Sequence, residues 1–174
     1  MKSSQRILMI LAALIGVAFI AILIFQKTNN SSIALSEQWI VTDVADGDTL
    51  TVRQTDGSQM QVQLCGIDVL EVKQDKASGQ AVGNEAKHKL QSLVADADNE
   101  VMIIPVQKNS KGRTVAEVMA YGKGALEDSF QEELLKNGLA KMHQSEVECP
   151  NHLAFEQAQK IAITSKVGMW KQPH

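Results

Sequence analysis

Cysteine is nearly absent from this chain: Cys65 and Cys149 are the only two in 174 residues, too few for a disulfide-built scaffold. Positive charge is also short. Seventeen basic side chains stand against twenty acidic ones, a formal net charge of −3, which disfavours a protein that coats nucleic acid. Internal repeats and low-complexity stretches are missing. With 44% hydrophobic residues the chain is too apolar to stay disordered. Its length fits one ordinary domain better than a two-domain enzyme with separate cores.

The most informative absence is local. No acidic residue occurs before Glu37, and Ile7 to Phe25 is nineteen residues without a charge. At helical rise such a run covers roughly 28 Å, about one hydrocarbon core. A cleavable signal peptide has a shorter apolar region and a small-residue cleavage site, whereas this run ends in Phe25-Gln26-Lys27-Thr28-Asn29-Asn30. No cysteine follows it, which excludes a lipoprotein-type anchor. The expectation is therefore an uncleaved transmembrane signal-anchor, with secretion after cleavage as the alternative. Lys2 and Arg6 flank one side and Lys27 alone the other, so the positive-inside bias puts the N-terminus in the cytoplasm and the rest outside. Residues 1–36 then divide into a cytoplasmic stub, the anchor and a polar tether at Asn29 to Ser32. Three of the basic residues lie there, which leaves 14 against 20 acidic ones in residues 37–174, a net of −6.

Beyond the leader, short alternating segments dominate. Trp39–Val44, Thr49–Arg53, Met60–Leu64, Val101–Val106 and Val115–Ala120 read as strands. Asp56-Gly57 accepts the left-handed turn conformation of a hairpin. Ala86, Leu90, Leu93, Val94 and Ala97 fall on one helical face. A second helix is expected over about 127–137, with Phe130 and Leu134 inward, Glu127-Asp128 as helix-start charges and Gly138 as its stop. The last is expected over about 152–166, with Ala154, Ala158, Ile161 and Ser165 inward. The order β-β-β-α-β-β-α-α predicts an α+β, mainly β architecture: a five-stranded Greek-key barrel of the OB-fold type with three helices.

Three clusters carry chemistry. Asp46-Gly47-Asp48-Thr49 opens the second strand, Gly66-Ile67-Asp68-Val69-Leu70-Glu71 follows the third, and Lys111-Gly112-Arg113-Thr114 enters the fifth. An Asp-Gly-Asp turn alone is ordinarily just a turn. Together, Asp48, Asp68 and Glu71 can bring three carboxylates to one end of a small barrel, a hard-oxygen set suited to Ca²⁺ or Mg²⁺. His143, Cys149 and His152 match no strong zinc spacing and lack a fourth ligand.

The string Asp46-Gly47-Asp48-Thr49-Leu50, then Leu64-Cys65-Gly66-Ile67-Asp68 with Glu71, resembles the staphylococcal-nuclease-like (thermonuclease) family. Gly112-Arg113, Gly138-Leu139-Ala140 and Gly168-Met169-Trp170 follow in the family's order, so the resemblance spans about residues 39–171. It implies an OB-fold barrel with three helices and a Ca²⁺-dependent phosphodiesterase acting on DNA and RNA. Carried over by position, Asp48, Asp68 and the backbone carbonyl of Val69 would hold one Ca²⁺. Glu71 would orient or deprotonate the attacking water, and Arg113 would grip the phosphate.

Some positions depart from the family pattern. Gln63 stands where the family places its other arginine, five residues before the second aspartate. The family's Thr-Pro lead-in to the glutamate is Val69-Leu70, and its Asp-x-Tyr ahead of Gly-Arg is Asn109-Ser110-Lys111. Base-stacking tyrosines have no counterpart in Met142 to Glu148, so single-stranded DNA or RNA would bind weakly. In an extracytoplasmic domain two cysteines favour one disulfide, with two unpaired thiols as the alternative. By the resemblance, family geometry puts the Cys149 loop beside the third strand, within reach of Cys65. The expected protein is a membrane-anchored, monomeric endonuclease of reduced activity working outside the cytoplasm. Its rival is a catalytically inactive OB-fold binding or scaffold module on the same tether.

Overall fold

The computed structural model describes residues 37–69, 77–121, 127–143 and 148–171. The expected signal-anchor and Glu71 lie outside those residues. Among the described residues no helix is long and apolar enough to cross a membrane.

Three antiparallel strands start the domain: β1 (Glu37–Val44), β2 (Thr49–Arg53) and β3 (Gln59–Leu64). Gly57, at φ +89°, makes the β2–β3 turn that Asp56-Gly57 predicts. A two-residue strand, β4 (Ile67–Asp68), leads on to α1 (Ala77–Asp96). Then come β5 (Glu100–Lys108), β6 (Thr114–Tyr121), β7 (Glu127–Ser129) and α2 (Phe130–Lys136). The chain finishes with β8 (Lys141–Met142), α3 (His152–Ser165) and a 3₁₀ turn at Gly168–Trp170.

Antiparallel pairing runs β3-β2-β1-β5-β6-β7, and a parallel pairing of β3 with β6 closes β1, β2, β3, β6 and β5 into a five-stranded barrel. The closure aligns Val62 with Thr114, Gln63 with Val115 and Leu64 with Ala116. Alternation then sorts the side chains. Leu50, Val52, Val62, Leu64, Ala116 and Val118 are buried inside, while Gln61 and Gln63 share the opposite face of β3. The five-strand, three-helix expectation holds.

Helix α1 lays Ala86, Leu90 and Val94 on the core, as the spacing predicts. The two later helices differ from expectation. Glu127 and Asp128 are not helix-start charges. They pair as β7 with Tyr121 and Ala120, and α2 begins only at Phe130, capped by the Ser129 side chain accepting from Glu132 N. Strand pairing has taken the residues that propensity assigns to the helix. On α3 the buried face is Phe155, Ala158 and Ala162, whereas Ile161 is 49% exposed and Ser165 is exposed. Phe155 is among the largest fully buried side chains, and it turns the helix to its own row at i, i+3 and i+7.

Cys65 and Cys149 are bonded as a disulfide with a Cα separation of 6.1 Å. It ties the end of β3 to the loop before α3. Gly66 follows at φ +71°, and a Cβ there would lie 2.8 Å from Cys149 Sγ, so only glycine lets the loop pass the bridge. A second close approach joins the end of α2 to the end of the domain. Met169 N donates to Gly138 O at 2.9 Å, and a Cβ on Gly138 would sit 2.9 Å from the Val167 carbonyl carbon.

Buried polar groups on β6 are satisfied. Gln131 of α2, fully buried, accepts from Val118 N at 3.2 Å and donates to Ala116 O at 3.0 Å, serving β6 as a strand partner would. Glu117, 1% exposed, accepts from Asn151 N at 2.7 Å and Asn151 Nδ2 at 2.6 Å. Its carboxylate caps the N-terminus of α3, where Asn151 makes no side-chain cap of its own.

Candidate functional site

The site lies on the outer face of the barrel, where β2 begins and β3 ends. Asp46 Oδ1 accepts from Asp48 N at 3.0 Å, which fixes the turn before β2. Gly47 lets that turn press inward. A Cβ there would fall 2.8 Å from Ala86 Cβ on α1 and 2.9 Å from Val69 Cγ1. The turn bearing Asp48 and the segment bearing Asp68 and Val69 are therefore in contact. Leu64 N, donating to Asp48 O at 2.8 Å, ties β3 to the same turn.

Asp48 is half-buried. Burial, the largest influence, and then Asp46 beside it push its carboxyl up to about 6, against the pull of the Thr49 hydroxyl bond and the more distant Arg113 charge. Thr49 Oγ1 donates to Asp48 Oδ1 at 2.8 Å and accepts from Arg113 Nη1 at 3.1 Å. A guanidinium, a hydroxyl and a carboxylate thus form one relay along the rim. Arg113 Nε is buried and has no partner among the described residues.

Arg113 is placed by its loop. Between β5 and β6, Asn109 N donates to Arg113 O at 3.0 Å and Gly112, at φ +78°, donates to Asn109 O at 2.9 Å. The Asn109 side chain braces the turn from within. Its Oδ1 accepts from Lys111 N at 2.9 Å and Arg113 N at 3.0 Å, and its Nδ2 donates to Gln63 Oε1 at 2.8 Å. Gln63 is held between Thr49 on β2 and Val115 on β6 by strand register.

Asp68 sits on β4 opposite Lys141 of β8, and Lys141 Nζ lies 3.4 Å from Asp68 Oδ2 with both side chains nearly half exposed. The structure thus gathers Asp48, Gln63 and Arg113 into one hydrogen-bonded array, with Asp68 and Val69 beside the Asp48 turn. Among the described residues no three His, Cys, Asp or Glu converge on a common point. His152 Nε2 instead meets Glu148 Oε1 at 2.7 Å, away from any metal grouping.

Asn109, Thr49 and Lys141 are the participants to which sequence reasoning assigns no role. Asn109 lies 46 positions from Gln63, and no local pattern links them. Only Thr49, directly after Asp48 in the Asp-Gly-Asp-Thr turn, carries a local signal.

Residues 61–172 match the family model described as staphylococcal nuclease homologue. A thermonuclease of Staphylococcus hyicus is 30% identical over 144 residues, covering 83% of this chain and 82% of that protein. One of Staphylococcus intermedius is 27% identical over 160 residues, covering 88% and 92%.

Proposed function

This chain belongs to the staphylococcal nuclease homologue family, and from that membership we propose that it is a divalent-metal-dependent phosphodiesterase that cleaves single-stranded DNA or RNA. The observation that carries the reading is the Arg113–Thr49–Asp48 relay, which sets a permanent positive fork one hydroxyl away from a half-buried carboxylate.

The donor chemistry fits a hard cation. Asp48 has lost much of its water, and its carboxyl meets one neutral hydroxyl, that of Thr49, and a second carboxyl, that of Asp46. A bound Ca²⁺ on Asp48, Asp68 and the Val69 carbonyl would supply the missing compensation and polarise the phosphoryl oxygens. Lys141 holds Asp68 in place and lightens its charge. Arg113 grips the phosphate through its guanidinium fork. Gln63 adds a neutral donor where family members carry an arginine. Glu71 holds the attacking water and takes its proton. Placement outside the cytoplasm on an uncleaved anchor at residues 7–25 belongs to the same reading, supported by the apolar run and its basic flank.

A second reading, a barrel retained for binding alone, is favoured by the neutral Gln63 and the net charge of −6 on residues 37–174. One assay separates them. The full chain is incubated with labelled single-stranded DNA and RNA, with Ca²⁺ or with chelator, beside the Glu71→Gln variant. Cleavage that needs both Ca²⁺ and Glu71 supports the nuclease. Cleavage indifferent to either overturns this mechanism, and tight binding without cleavage establishes the second reading. Gln63→Arg should raise the rate by at least about tenfold if charge at that position limits the reaction.

A further inference from the structure

Asn109 and Gln63 meet through side-chain amides, and a primary amide has one accepting and one donating end. Which end faces where is decided at Asn109. Its Oδ1 is held by two backbone donors, Lys111 N at 2.9 Å and Arg113 N at 3.0 Å, so only its Nδ2 can face Gln63. Gln63 must then answer with Oε1, as it does at 2.8 Å. Its Nε2 points the other way and carries no hydrogen bond among the described residues. Reversing Gln63 would set two N–H groups against each other, and reversing Asn109 would strip two backbone amides of their acceptor.

We infer that Asn109 is a positioning residue that turns Gln63 into a donor-only group, so that the free Gln63 N–H bonds and the Arg113 guanidinium together present donors to a phosphodiester oxyanion. The inference rests on the phosphodiesterase reading for its ligand, and on the hydrogen bonds alone for the orientation. Gln63 keeps no acceptor lone pair turned toward an incoming anion. Asn109 couples both donors because the same side chain braces the Arg113 loop and orients Gln63. A neutral partner at position 63 can therefore still contribute to anion binding, in a direction set from the β5–β6 loop.

Asn109→Asp is the discriminating variant. A carboxylate still accepts from Lys111 N and Arg113 N, so the loop keeps its brace. It cannot donate to Gln63, which must turn its Nε2 inward and its Oε1 out toward the anion. Two measurements at pH 7.5 on the full-length chain test this. In glutamine-¹⁵N-labelled protein, the Gln63 side-chain N–H protons should exchange with water about tenfold more slowly in Asn109→Asp, because they become bonded to a carboxylate. Unchanged exchange overturns the assigned orientation.

The second measurement is anisotropy of a fluorescein-labelled single-stranded oligothymidine, read as Kd with and without Gln63→Leu. Asn109→Asp should weaken binding about tenfold with Gln63 present and less than about twofold in the Gln63→Leu background. Equal losses in both backgrounds mean that the new charge repels the ligand directly, and they overturn the coupling. If the unaltered chain neither binds nor cleaves the oligonucleotide, the phosphodiesterase reading fails and the anion-facing role fails with it. The exchange measurement then still decides by itself whether Asn109 orients Gln63.

Discussion

Two carboxylates on one barrel, Glu117 and Asp48, receive opposite treatment. Glu117, on β6, is 1% exposed and takes two short hydrogen bonds from Asn151 at the start of α3. Asp48, on the rim before β2, is half-buried, accepts from the Thr49 hydroxyl and lies against the like-charged Asp46. The first has been given partners in proportion to what it lost in leaving water, and the second has not. A carboxylate that folds the protein is satisfied by the protein. Asp48 lacks such compensation, which is what the proposed cation would supply.

The sharpest test of that contrast removes the charge facing Asp48. Arg113→Ala should lower cleavage of single-stranded DNA by about 10³-fold, measured as kcat/KM. Its urea midpoint should barely move. A large loss of stability would show that the rim is structural after all. On the stability side, replacing Cys65 and Cys149 together by alanine should cost about 4 kcal/mol in urea unfolding, since the bridge closes a loop of 84 positions. Glu117→Ala should cost about 2–3 kcal/mol by the same measurement, because it strips the α3 cap and leaves Asn151 N without an acceptor.

Asp48→Asn is the smallest effect and has the opposite sign. Burial raises the Asp48 carboxyl from 3.8 to about 6, so the folded state holds its proton more tightly than the unfolded chain does. Its ionised form therefore works against folding, and stability falls as pH rises through the window from about 4 to 6. In chelator at pH 7.5, Asp48→Asn should gain about 1 kcal/mol, a figure discounted for the group's partial exposure. The gain should shrink through that window and vanish at about pH 3 and below, where Asp48 is protonated in both states. A loss at pH 7.5 would place Asp48 with Glu117 and dissolve the comparison.

How far the sequence reaches follows the range of each interaction. The α1 face of Ala86, Leu90 and Val94 was legible because spacings of three and four are local. So were the five barrel strands, whose alternation is written in β2, β3 and β6. The start of α2 was not, because Glu127 and Asp128 obey a strand partner several residues back rather than their own helical propensity. The α3 face was misjudged where Phe155 outweighed Ile161. The β4–β8 pair is two residues long on each side and exists only because tertiary structure brings Ile67 to Met142.

At the site, Asp48 and Arg113 stand out as chemistry-bearing types in turns. Gln63 stands out only by a resemblance, as a departure from an expected arginine. Asn109 stands out in the same way, in place of the family's aspartate, but its role could not be read from that, since it lies in two amides meeting between a loop and a strand. The bridge between Cys65 and Cys149, left open against free thiols by the residues alone, is formed.

The junction of Gly138 with Gly168 bears on how the protein comes into being. The two positions approach so closely that a Cβ on Gly168 would stand 2.6 Å from the Asn137 carbonyl oxygen, and Met169 N closes the joint on Gly138 O. Synthesis delivers those residues after every strand of the barrel. A ribosome-bound chain can pair β1 through β6 yet still lack the joint that holds the end of α2, and Cys65 waits unbonded until Cys149 emerges. A nascent chain interrupted before residue 168 leaves that joint unmade, and one interrupted before residue 149 also leaves Cys65 without its partner.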